Sequence, residues 1–126
     1  MQPPSTYASL QQHVRDLVTP PIETWENQYA DKEYTVEITI SEFTAICPKT
    51  GLPDFAEIQI SYVPDLYCAE LKSLKEYMHF YRDVGIFHEH AVNKILEDFV
   101  AGCHPRRVQI VGAFNIRCGT KTELQD

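Results

Sequence analysis

The chain is predicted to be α+β, an antiparallel sheet carrying two helices on one face. Three observations lead there. Two segments alternate apolar and polar residues with period two, two later segments place apolar residues at helical spacing, and the order is strand, strand, helix, helix, strand.

The first 32 residues read as an N-terminal extension, with Pro3, Pro4, Pro20 and Pro21 around a short helical pattern, "YASLQQHVRDLV". Residues 33–126 read as one domain. In "YTVEITI", Tyr34, Val36, Ile38 and Ile40 alternate with Thr35, Glu37 and Thr39. "AEIQISYV" repeats the pattern with Ala56, Ile58, Ile60 and Tyr62. Between them "PKTGLP" has turn chemistry, so residues 43–60 read as a long hairpin-like connection. A short extended piece is expected near "LYCAE".

In "LKSLKEYMHFYRD" the apolar face is Leu74, Tyr77, Met78 and Tyr81; Lys72, Lys75, His79 and Arg82 make a cationic stripe on the other face. In "HEHAVNKILEDFVAG" the expected core face is Val92, Ile95, Leu96, Phe99 and Val100, with Gly102 and Pro105 as the stop. "RRVQIVGAFNIR" reads as the last strand.

The 126 residues carry a net charge of -7, which argues against nucleic acid as a partner, because phosphate contacts need clustered cations. No apolar run reaches the ~20 residues needed to span a bilayer, and no secretory pattern opens the chain. A cytoplasmic protein without membrane or nucleic-acid partners is therefore expected. Cys47, Cys68, Cys103 and Cys118 form no C-x-x-C pair, so a thiol here is either buried filler or reactive.

Three groupings could carry chemistry. Cys47 and Asp54 would pair a nucleophilic thiolate with a proton donor for a carbonyl or nitrile. A buried cysteine and a turn-capping aspartate account for the same spacing. "FHEH" offers His88, Glu89 and His90 at a helix start. The two histidines diverge there, which disfavours one shared metal ion. Glu89 either favours the helix N-terminus electrostatically or accepts the N–H edge of a base-like ring. The cationic stripe is either a solvated face or an anion site such as a dinucleotide phosphate would use.

"ELKSLKEY" (70–77) resembles the signature E-[SL]-K-[SA]-x-K-x-[YFW] of the NADPH-dependent 7-cyano-7-deazaguanine reductases, the QueF nitrile reductase family, in its short unimodular type. "EFTAICPKTGLPDFA" resembles that family's catalytic loop and "FHEHAVN" the start of its substrate-binding helix. The resemblance covers roughly residues 33–116, with the three motifs in the family's order. It implies the tunnelling fold shared with GTP cyclohydrolase I, sites at subunit interfaces, and a homo-oligomer, a decamer of two pentameric rings. It also implies reduction of the nitrile to an aminomethyl group by two NADPH, on the way to queuosine in tRNA, with no metal.

Carried over residue by residue, the resemblance makes Cys47 the nucleophile that forms a covalent thioimide and Asp54 the acid/base. Ala69, Glu70, Leu71, His88 and Glu89 would contact substrate, and Lys72, Ser73, Lys75 and Arg82 would contact NADPH. The chain departs from the family at Leu52, where Gln is common, and at Glu76, where Leu or Tyr is usual. Rival readings are a zinc-dependent hydrolase resembling GTP cyclohydrolase I and a binding protein that uses the fold alone.

Overall fold

The computed structural model describes residues 14–117 and 120–125. Its strands are Thr24–Glu26 (β1), Val36–Ile46 (β2), Pro53–Val63 (β3), Tyr67–Ala69 (β4), Arg107–Arg117 (β5) and Thr120–Gln125 (β6). Its α-helices are Leu71–His79 (α1) and His88–Cys103 (α2). The main sheet is antiparallel in the order β2-β3-β5-β6, while β1 and β4 pair separately.

The 43–60 connection is shorter than the alternation suggests. β2 runs on to Ile46 and β3 starts at Pro53, so only residues 47–52 connect them. The reason is a β-bulge: the β2–β3 register shifts between Ile40 and Phe43. Val36, Ile38 and Ile40 face the core before it; Phe43 and Ala45 face the core after it. One inserted residue moves the buried set from even to odd positions, which hides the strand's second half from a period-two reading.

The helices cover one face of the sheet as expected. Leu74, Tyr77, Met78 and Tyr81 join Ile58, Ile60, Ile110, Phe43 and Phe114 in one buried cluster. Each large side chain so buried stabilises the fold by about 1.5–3 kcal/mol. The inward face of α2 differs from expectation. Val92, Ile95 and Phe99 are buried, but Val100 is exposed, and Lys94 and Cys103 take inward positions. Lys94 is admitted because Asp98, one turn on, takes its ammonium at 3.1 Å and also accepts the Tyr77 hydroxyl. Tyr77 and Tyr81 share a further hydroxyl contact at 2.8 Å. Burial pushes both phenols well above their ordinary range.

Gly102 lies inside α2 and does not cap it; His104 takes the left-handed cap position at φ 47°. A Cβ at Gly102 would lie 3.4 Å from the Ile22 carbonyl oxygen, an ordinary contact, so α2 packs against Ile22 there without needing glycine. Ile22 belongs to the segment read as an extension, which also supplies β1. The helical pattern at 7–18 lies outside the described residues up to 13; Val14–Asp16 form one 3-10 turn.

Candidate active site

The six-residue connection is a closed turn. The Cys47 N–H donates to the Leu52 carbonyl at 2.9 Å, and the Gly51 N–H donates to the Cys47 carbonyl at 2.8 Å. The Leu52 N–H donates to Thr50 Oγ1 at 3.2 Å. Gly51 sits at φ 72°, a conformation that glycine takes without a Cβ penalty. Cys47 is half-buried. Burial pushes its thiol up, but the Thr50 hydroxyl and the N–H groups of Thr50 and Lys49 stabilise the thiolate more than burial opposes it. The negative charge of Asp54 works against them, and the net result is a thiol below its ordinary range.

Backbone contacts bring the start of α2 to this turn. The Ile46 N–H donates to the Val84 carbonyl at 2.9 Å, and the Ile86 N–H donates to the Ile46 carbonyl at 3.0 Å. A short parallel bridge, Ile46 to Gly85, is the result. Two residues later α2 begins, so His88 and Glu89 open it at the corner occupied by Cys47.

Asp54 reaches that corner from β3. It stands in the inward row Asp54, Ala56, Ile58, Ile60, Tyr62, where a carboxylate needs a partner. His88 is one, with Nε2 3.1 Å from Asp54 Oδ2. The His88 ring lies on Phe114 of β5, centroids 3.8 Å apart and planes within 11°. Glu89 is exposed beside it.

Ala69, Glu70 and Leu71 occupy the other end of the hairpin. The Ala69 N–H donates to the Tyr62 hydroxyl at 3.1 Å, near the far end of β3. At about 3.3 Å per residue, β3 separates Asp54 from Val63 by roughly 30 Å. Glu70 is the N-cap of α1, its two carboxylate oxygens accepting from Lys72 N at 2.9 Å and Ser73 N at 2.7 Å. The Ser73 and Lys72 N–H groups hold the Glu70 carboxyl below its ordinary range. Ser73 is buried; its hydroxyl donates to the Glu70 carbonyl and accepts from Glu23 N. Leu71 and Lys72 are exposed. Lys75 and His79 line a groove of about 460 Å³ against the β2 bulge residues Ser41 and Glu42. Arg82 lies against its own neighbours, His79 O at 3.2 Å and Asp83 Oδ2 at 3.6 Å.

Residues 53–125 match the family model described as "QueF-like protein". The chain is 52% identical over 105 residues to the NADPH-dependent 7-cyano-7-deazaguanine reductase of Elusimicrobium minutum, covering 83% of this chain and 79% of that protein. It belongs to the QueF family. The reductase of the same name from Chlorobaculum tepidum is 52% identical over 98 residues, 78% of this chain and 84% of the relative. Among solved structures, the apo archaeosine synthase QueF-Like superposes with a TM-score of 0.69 at 22% identity, covering 73% of this chain and 90% of that one. That likeness concerns the fold, and the α+β tunnelling architecture stands.

Within one QueF-family chain, then, the expected site residues fall into two groups. Cys47, Asp54, His88 and Glu89 meet at the turn end of the hairpin. Ala69, Glu70, Leu71 and Ser73 lie at its far end, with Lys72 and Lys75 along α1. Sequence reasoning missed Thr50 and Phe114. Thr50 was visible as part of the turn, but its contact with the thiol depends on how the turn closes. Phe114 gave no signal beyond its place in an alternating strand, because it comes 60 residues after Asp54. Among the described residues no three His, Cys, Asp or Glu side chains converge as a metal site would need.

Proposed function

We propose that this protein reduces the nitrile of 7-cyano-7-deazaguanine to 7-aminomethyl-7-deazaguanine, consuming two NADPH. The observation that supports this best is the meeting of a thiol of lowered pKa, Cys47, with the Asp54–His88 pair at one corner. The relatives' shared name supplies the substrate and the reductant.

The residues divide the work as follows. The Cys47 thiolate adds to the nitrile carbon, and Asp54 delivers a proton to the nitrile nitrogen, leaving a covalent thioimide. The first hydride from NADPH reaches the former nitrile carbon. The nitrogen lone pair then expels the Cys47 thiolate, and the C–S bond breaks to give an imine. A second hydride and a second proton complete the primary amine. Overall, one nitrile, two NADPH and two protons give one amine and two NADP⁺. Glu89 accepts the ring N–H and amino group of the guanine-like edge, both at once.

Lys72 and Lys75 supply positive charge for the phosphates of NADPH, Lys75 from the groove beside the β2 bulge. Ser73 acts indirectly, by holding the cap that orients Lys72. Ala69, Glu70 and Leu71 meet the substrate bound at Cys47 from a second copy of the chain, since one copy holds the two groups at opposite ends of β3. A homo-oligomer of ring form, two pentamers in a decamer, accommodates this. The product feeds queuosine formation in tRNA, in the cytoplasm.

The test is NADPH oxidation by the purified protein with 7-cyano-7-deazaguanine, with a chelator present. Two NADPH consumed per amine formed is the expected result. A folded, oligomeric protein that consumes none overturns the reading.

A further inference from the structure

We infer that Phe114 is a positioning residue for the reaction, acting through His88; the inference rests on the reductase reading above. The torsion that turns an imidazole about its Cβ–Cγ bond is broad, so a histidine's own rotamer does not choose the plane of its ring. At His88 the neighbour chooses it. The Phe114 ring lies flat against the imidazole at 3.8 Å and 11°, and in that plane Nε2 faces Asp54 Oδ2 at 3.1 Å.

Phe114 is itself fixed, being 1% exposed. It pairs across the sheet with Ala56, the neighbour of Asp54 in the inward row. The Phe43 ring stands perpendicular to it, centroids 6.3 Å apart at 89°. Two residues before it, Gly112 leaves the room the ring needs: a Cβ there would come within 3.2 Å of a Phe114 ring carbon and 2.8 Å of Val92. The aromatic face is thus a rigid wall built from β5, and the imidazole leans on it. A flexible aliphatic side chain of similar volume would fill the space without defining a plane.

The step served is proton delivery to nitrogen, since Asp54 and His88 face each other there. In the reaction above one such proton forms the thioimide and a second completes the amine. Loss of Phe114 should therefore slow both capture of the nitrile by Cys47 and the reduction that follows, while leaving nitrile binding and the final yield of adduct in place.

Phe114→Leu and Phe114→Met are compared in the native chain and in a His88→Ala chain, measuring kcat, KM for the nitrile and the rate and final yield of Cys47 adduct without NADPH. In the native background kcat is expected to fall about ten- to a hundredfold, as small misplacements of reacting groups do, with the Cys47 adduct forming more slowly to nearly the same final yield and KM little changed. In the His88→Ala background the same substitutions should cost less than about twofold, because residues acting as a unit are not additive. Equal losses in both backgrounds, or no loss in a folded native-background variant, overturn the inference. Thermal melts identify folded variants, and Phe114→Met, the milder change, carries the test where Phe114→Leu unfolds. An unmodified protein inactive on the nitrile defeats the reductase reading itself, a distinct outcome.

Discussion

The two ends of the β2–β3 hairpin handle polar groups in opposite ways. At the far end, the chain spends them on itself: both Glu70 oxygens take N–H groups of α1, and the Ser73 hydroxyl both donates and accepts. At the turn end, a half-buried thiol is kept partly exposed and its anion is stabilised by the turn that presents it. The first arrangement fixes where a helix begins. The second leaves a half-buried thiol near a buried carboxylate. Damage at the far end should therefore register in both stability and activity, and damage at the turn end chiefly in chemistry.

The most severe test of that contrast is Cys47→Ala. It should abolish turnover and the covalent adduct in intact-protein mass spectra while leaving the melting temperature close to that of the native chain. Asp54→Asn should retain nitrile binding and lose most reduction. An active Cys47→Ala protein would remove the thiol from the mechanism.

Next in size is recovery by mixing. Cys47→Ala and Glu70→Ala chains, each inactive alone, should regain a measurable part of native NADPH oxidation when unfolded and reassembled together. The intact turn end of a Glu70→Ala chain can meet the intact far end of a Cys47→Ala chain only if the site spans two subunits. Continued inactivity of verified mixed oligomers argues for a site within one chain.

Glu70→Ala alone should also lower the melting temperature by a few degrees, the ordinary consequence of losing an N-cap. The pH dependence follows from the direction of the shift. The folded-state pKa of Glu70 is depressed, so its contribution is present above the usual carboxylate range and is lost as pH falls through the folded value. Native and variant melting temperatures should converge in acid. A gap that persisted at low pH would mean that the cap works through something other than its charge.

The smallest effect sharpens the turn end. Alkylation of Cys47 should rise with pH from below the ordinary thiol range, since its thiolate is stabilised. Thr50→Val removes one donor, moves that rise to higher pH and slows alkylation at neutral pH about fivefold, equivalent to the ~1 kcal/mol net value of one hydrogen bond. An unchanged profile would leave the N–H groups of Lys49 and Thr50 as the whole cause.

Much of this was legible in the residues alone. The alternation at 56–63, the helical spacing of Leu74, Tyr77, Met78 and Tyr81, and the strand at 106–117 all reappear as elements. Local burial patterns need only neighbouring residues, and here they agree with the tertiary fold. Cys47, Asp54 and Glu89 were visible as candidates because their motifs are contiguous. The bulge in β2 was not visible, since an inserted residue reverses which positions face inward. β6 was not anticipated either. The inward placement of Lys94 depends on Asp98 and on Tyr77, which comes from another helix.

The sequence by itself thus determined the α+β order of elements, the family and which side chains are candidates for the chemistry. These rest on local periodicity and on contiguous motifs, which a linear chain displays in full. Only the tertiary structure decided that His88 faces Asp54 across 34 positions, that Phe114 lies flat beneath it, and that Glu70 belongs to the opposite end of the hairpin. Such contacts join positions distant in the chain. They come from strand register and from the backbone pairing of Ile46 with Val84 and Ile86, neither of which any local pattern encodes.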